Sequence, residues 1–144
     1  MGTHPATHPP IGMHLARTAR TVSRAFDAAL VEAGGSLPAW LVLLNLKTRQ
    51  LANQRELAEA IRVSEATLTH HLNSMDAEGL ITRRRDAVNR RIHVVELTGA
   101  GEAAFLRLRR AAAAFDRRLR TGISDEEIAG LEGLLGRLAG NVAD

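Results

Sequence analysis

One segment of this chain breaks the period of the rest. Residues 80–85 and 91–97 are short, β-rich runs flanking Asp86-Ala87-Val88-Asn89-Arg90, a pattern that reads as a hairpin. Elsewhere the apolar residues return at helical spacing. Leu15, Ala19, Val22, Phe26 and Leu30 mark a helix over about 11–33, which Gly34-Gly35 stops. A second starts around Pro38, a residue suited to a first turn, and carries Trp40, Leu43, Leu44 and Leu46 to about Arg49. A shorter one follows over about 54–60, with Leu57, Ala58 and Ile61 inward. Ile61-Arg62-Val63 is a tight connection, and Ser64 caps a fourth helix over about 65–78, striped by Leu68, Leu72 and Met75 and closed by Gly79. Beyond the hairpin, Thr98 caps a long helix over about 100–120. Ser124-Asp125-Glu126-Glu127 is a capping box that opens a last helix to about Asn141. A single hairpin among helices limits the fold to an all-α protein with a small β wing.

Residues 54–97 carry the function. Two short helices meeting at a three-residue turn, followed by a hairpin with an arginine at its tip, make a winged helix-turn-helix. Leu57, Ile61, Val63, Leu68 and Leu72 hold the two helices together. Ser64, Glu65, Ala66, Thr67, Thr69, His70 and Asn73 are left at the start and on the outward side of the second. A helix fits the DNA major groove, where short polar side chains reach base edges. Asn73 can bond adenine, a Thr methyl can meet thymine, and His70 can donate to guanine or to phosphate. The hairpin tip brings Arg90 to the minor groove, whose negative potential suits arginine. Arg83, Arg84 and Arg85 supply sequence-independent phosphate contacts, and Arg91 is expected among the DNA-binding residues. Asp86, which phosphate repels, is expected to pair with Arg90 or Arg91 and so shape the wing.

Composition sets the outer limits. The chain has 144 residues, one domain's length, and 45% apolar with 24% charged residues excludes wholesale disorder. Absence of cysteine excludes disulfides, zinc-thiolate sites and thiol nucleophiles. No run approaches the roughly 20 apolar residues of a membrane span. Met1-Gly-Thr-His-Pro lacks the basic start and apolar run of a secretory signal, so a cytoplasmic protein without a membrane partner is expected. The sequence pI of about 10.8 overstates its basicity, because Lys47 is the only lysine and little titrates between neutrality and the arginine range. Distribution is more telling. Residues 1–80 are neutral overall, residues 81–120 carry a net +7 and residues 121–144 a net −4. One block of the chain is built to meet an anion.

Leu57-Ala58-Glu59, Val63-Ser64-Glu65-Ala66-Thr67, Glu78-Gly79-Leu80-Ile81, the wing Arg83-Arg84-Arg85-Asp86-Ala87-Val88-Asn89-Arg90-Arg91, then Leu97-Thr98 and Gly101 together resemble the pattern of the MarR (multiple-antibiotic-resistance regulator) family. The wing, an Asp followed by Asn-Arg-Arg, is the most specific piece, and the flanking helices extend the likeness over nearly the whole chain. The resemblance implies an intertwined homodimer of triangular outline. In it the helices at 11–33 and 100–141 interlock at the base, and two lobes at 54–97 reach a pseudo-palindromic operator. It also implies a repressor whose DNA affinity falls when a small effector binds between base and lobe. The family's effector site lies between the first, second and fifth helices, so Trp40 with Met13, His14 or Arg17 would line it. Three departures stand out. Arg62 occupies a turn position often held by Gly, which predicts a strained or differently angled turn. Glu65 replaces a common basic residue and can accept from cytosine N4. Trp40 replaces a frequent Gln, and the lack of cysteine excludes the family's peroxide-sensing branch.

Other features have plainer readings. Trp40, Phe26 and Phe105, taken alone, are core residues. Arg107, Arg109, Arg110, Arg117, Arg118 and Arg120 cannot all face one way on a helix, so most are expected to be solvated or paired with acids of the last helix. His70 and His71 point about 100° apart and cannot chelate one metal; His71 reads as a packing residue or a backbone contact. His4, His8 and His14 have no nearby carboxylate, and residues 1–10 read as a flexible tail before a single domain at 11–144. Ser64 has no base-and-orienter arrangement around it. No metal, cofactor or enzymatic activity is expected. Gly130, Gly133, Gly136 and Gly140 fall on one helix face, which predicts a close helix–helix approach at the dimer base. The expected function is a sequence-specific, double-stranded DNA-binding regulator, with a non-regulatory architectural DNA binder as the alternative.

Overall fold

The computed structural model describes residues 8–49 and 53–144. Part of the expected N-terminal tail, residues 1–7, lies outside the described residues. The chain divides into a compact unit ending at Ala112 and a second, Ala113–Asp144.

In the first unit, α1 (Ile11–Glu32) is followed by α2 (Leu37–Thr48), α3 (Gln54–Ile61) and α4 (Glu65–Ala77). The two glycines between α1 and α2 have different tasks. Gly34 turns the chain at φ +84°, while a Cβ on Gly35 would sit 2.5 Å from Leu108 Cδ2. The Ser36 hydroxyl then caps α2 by accepting from the Ala39 amide at 3.2 Å. Helix α2 is apolar around most of its surface and buries Trp40, Val42, Leu43 and Asn45, so it forms the centre of the lobe. The Asn53 side chain caps α3, accepting from Arg55 N at 2.8 Å and Glu56 N at 3.4 Å. Strands β1 (Ile81–Arg85) and β2 (His93–Leu97) pair antiparallel, with Ile81 opposite Leu97 and Arg85 opposite His93. Asn53 adds an isolated bridge to Val94, tying the entrance of α3 to the wing. Nothing in the sequence pattern announced that bridge.

Leu30, Val42, Leu43, Leu57, Leu68, Leu72, Ile81, Val95 and Leu108 are fully buried in one cluster, to which α5 (Gly99–Leu119) contributes Ala104, Phe105 and Leu108. Trp40 stacks on Phe105, with ring centroids 5.9 Å apart and planes 12° from parallel. The chain has only three Phe, one Trp and no Tyr, and this stack places two of those four aromatic residues in the core. The arginines of α5 are partly committed within the fold. Arg107 Nε donates to Ala33 O at 2.7 Å, and Arg109 lies 5.7 Å above the Phe105 ring.

In the second unit, α6 (Asp125–Val142) opens with the capping box: Ser124 Oγ accepts from Glu127 N, and Glu127 Oε1 accepts from Ser124 N, both at 3.1 Å. No residue of α6 is buried. Arg120, just past the end of α5, pairs with Asp116 at 2.9 Å, a partner outside the acids of α6. The i,i+4 spacing makes this the nearer partner. No single helix among the described residues is long and apolar enough to cross a membrane.

Candidate nucleic-acid interface

Helix α4 presents two opposed faces. Leu68, Leu72 and Met75 are buried, whereas Glu65, Ala66, Thr67, His70 and Asn73 are exposed. Their separation follows from the helical period: the buried set clamps α4 to the lobe and the exposed set shares the opposite side. Two of the expected outward residues are occupied internally. Ser64 Oγ accepts from Thr67 N at 3.1 Å and donates to Thr67 Oγ1 at 3.0 Å, so this hydroxyl serves the helix start. Thr69 is half-buried, accepting from Gln54 Nε2 at 2.7 Å and donating to Glu65 O at 2.8 Å. Only its methyl remains for an outside partner. His70 and Asn73 keep their polar atoms available, with the His70 ring 5.8 Å from that of His71. His71 is half-buried, as a packing residue should be.

The wing is held by its own side chains. Asp86 does not pair with Arg90 or Arg91, contrary to expectation. Its Oδ2 accepts from the Asn89 amide at 3.4 Å, and its own amide donates to Ile92 O at 2.9 Å. Asn89 Oδ1 in turn accepts from Arg91 N at 3.1 Å. The short Asp and Asn side chains reach backbone amides within the turn more readily than a long guanidinium can be ordered beside them. The wing arginines then divide. Arg83 bonds Asp76 of α4 through Nε and Nη2, at 3.2 and 3.1 Å, and Arg84 bonds Glu96 across the hairpin at 3.2 and 2.8 Å. Arg85, Arg90 and Arg91 form no ion pair with any described residue and are exposed.

Between wing, α3 and α4 lies a cleft of about 510 Å³ lined by Gln54, Arg55, Glu65, Asn89, Arg91 and His93, among others. The sequence reading included Glu65 and Arg91 but missed Arg55, His93 and the Asn53–Gln54 entrance. Their signal was weak, because a residue before a short helix shows no periodicity. It also missed Val88, 94% exposed at the wing tip. An apolar residue in a turn that has no strand partner was the available clue.

Residues 36–93, from the cap of α2 to the start of β2, match the MarR family. The transcriptional regulator PA3341 is 31% identical, with 92% of this chain and 98% of that one covered and a TM-score of 0.76. This chain belongs to the MarR family. A second solved structure, CouR from Rhodococcus jostii RHA1 bound to p-coumaroyl-CoA, is 25% identical, covering 90% of this chain and 91% of that one with a TM-score of 0.73. A third, BpsR of Bordetella bronchiseptica, whose DNA binding is regulated by 6-hydroxynicotinic acid, shares the fold at 20% identity. It covers 99% of this chain and 100% of that one with a TM-score of 0.81. MarR proteins are transcriptional regulators, and this chain has their winged-helix fold.

None of the residues that the family resemblance assigned to an effector lines the cleft between wing, α3 and α4. Trp40 is 7% exposed and covered by Phe105, while Met13, His14 and Arg17 are exposed on α1.

Proposed function

We propose that this MarR protein is a homodimeric, sequence-specific binder of double-stranded DNA, a ligand-responsive repressor acting on a pseudo-palindromic operator in the cytoplasm and without enzymatic activity. The observation that carries the reading is the exposed polar face of α4, Glu65, Ala66, Thr67, His70 and Asn73, beside a wing whose Arg85, Arg90 and Arg91 have no internal partner. Base reading falls to that face and to the Thr69 methyl, phosphate contact to the wing, and minor-groove insertion to Arg90. Ser64, Arg83 and Arg84 support the interface as cap and ion pairs, and Asp86 sets the turn that carries Arg90. A two-fold dimer would set two such faces about 34 Å apart, one turn of DNA. The unpartnered apolar side chains of α1 (Ile11, Met13, Leu15) and of α6 (Leu131, Leu134, Leu135) favour a dimer. The coumaroyl-CoA complex of CouR favours an effector.

The test is a mobility shift on the DNA upstream of the gene, with random competitor. Arg90→Ala is expected to abolish the specific complex, while Arg84→Ala weakens specific and random binding alike. Equal affinity for upstream and random DNA would instead mark an architectural binder.

A further inference from the structure

Val88 stands at the tip of the wing with 94% of its surface exposed, between the exposed Ala87 and Asn89. A fixed turn carries it. Asp86 N donates to Ile92 O at 2.9 Å and Ile92 N to Asn89 O at 3.0 Å, while the Asp86 and Asn89 side chains accept from the amides of Asn89 and Arg91. Both polar side chains of the turn are therefore spent on its own backbone. What the tip offers outward is the Ala87 methyl, the Val88 isopropyl group and the Arg90 guanidinium, which forms no ion pair with any described residue. Gly, Pro, Asn, Asp and Ser are the residues that turns select, so a β-branched side chain here serves neither the turn nor the core. A partner that matches both groups has apolar walls and a strong negative potential. The DNA minor groove is such a surface: deoxyribose rings wall it, its potential attracts arginine, and apolar side chains enter it beside cations.

We propose that Val88 enters the minor groove beside Arg90 and excludes G·C pairs from the base steps beneath the wing. This role rests on the reading of the chain as a DNA binder with Arg90 in that groove, and it adds the residue that selects the bases there. In the minor groove, A·T and T·A pairs present only the acceptors adenine N3 and thymine O2. A G·C pair adds the guanine N2 amino group, a donor that stands up from the groove floor. Arg90 carries only donors and can serve the acceptors. The amino group fares differently. An isopropyl group pressed over it accepts no hydrogen bond, so the amino group loses its water and gains no partner. Over an A·T pair nothing protrudes, and Val88 meets the C–H groups of the sugars while Arg90 takes the acceptors. Selection of this kind works by penalising the wrong pair, with no base-specific bond to the right one.

The test uses two duplexes of the DNA upstream of the gene that differ only in the minor groove. Inosine in place of guanine removes the N2 amino group and keeps the N7 and O6 acceptors of the major-groove edge. By fluorescence anisotropy at fixed salt, wild type should bind the inosine duplex tighter than the guanine duplex by about fivefold or more. Val88→Thr keeps the shape of the side chain but brings a hydroxyl that can accept from the amino group, and should cut that preference to about twofold or less. Val88→Ile should retain it. Any change in duplex stiffness caused by inosine is shared by wild type and variants and cancels in the comparison. Because Val88 is exposed and uncharged, the variants should keep the wild-type melting temperature and the wild-type slope of log affinity against log salt. No inosine preference in wild type, or the same preference in wild type and Val88→Thr, overturns the proposal. Val88-dependent binding to phosphatidylglycerol vesicles with no such effect on duplexes also overturns it, by placing the tip on a membrane. A Val88-dependent inosine preference in a protein that binds upstream and random DNA equally would uphold the role of Val88 and defeat the sequence-specific regulator instead. Failure to bind either duplex would defeat both.

Discussion

Arg62 is the one described non-glycine residue with a positive φ, at φ 60° and ψ 47°, and it closes α3 before the turn to α4. In this left-handed region a Cβ crowds the following carbonyl, at roughly 1–2 kcal/mol. Arg62→Gly relieves that strain but loosens the unfolded chain. The net expectation is a gain of about 1 kcal/mol, read as a melting temperature higher by about 3 °C; a lower value would mean that Arg62 makes compensating contacts. The departure from glycine was visible in the sequence, and so was the strain it implies. Gly101 was not legible in the same way. A Cβ there would collide with the carbonyl oxygen of Leu80, which is backbone and cannot swing aside, whereas a Cβ on Gly99 meets nothing within 4 Å. Both glycines look alike in a helix start, because close approach depends on a segment some twenty residues away. Gly101→Ala should therefore cost about 3 kcal/mol in urea unfolding, and Gly99→Ala should be neutral or slightly stabilising.

At the level of elements, hydrophobic period and cap residues located α4 and the wing to within about two residues. Period gives the direction in which a side chain leaves its helix, so the exposed positions of Glu65, Ala66, Thr67, His70 and Asn73 were legible. It does not give partners across a turn. The Thr69–Gln54 bond, the Asp76–Arg83 pair and the Arg84–Glu96 pair all join residues on different elements, and each alters what its side chain can offer to DNA. Arg84 is the informative case. Its side chain is 56% exposed and that of Glu96 51%, so the pair contributes little stability, within about 0.5 kcal/mol. It does hold a cation beside a compensating charge. Glu96→Gln should leave the melting temperature almost unchanged while DNA binding becomes tighter at low salt. The slope of log affinity against log salt should then steepen by about one unit, as expected for one more released counterion. An unchanged slope would mean that Arg84 does not reach phosphate.

For the whole molecule, the question is what covers the helices that a single chain leaves bare. Helix α6 has two such faces. Leu131, Leu134 and Leu135 are exposed on one side. At about 100° per residue, Gly130, Gly133, Gly136 and Gly140 lie roughly opposite them. A Cβ added at any of the four meets nothing within 4 Å in the chain by itself. Within one subunit, then, alanine at Gly133 and Gly136 is sterically permitted and should stabilise the helix by about 1 kcal/mol each. In the proposed dimer the smooth glycine face allows a partner helix to approach closely, and the same two methyl groups would hold it off. The two effects have opposite sign, which makes the double variant decisive. Gly133→Ala with Gly136→Ala should lower the melting temperature and shift sedimentation toward monomer at concentrations where the wild type is dimeric. A higher melting temperature with the dimer intact would show that the glycine face meets only water, and that the leucine face alone joins the subunits.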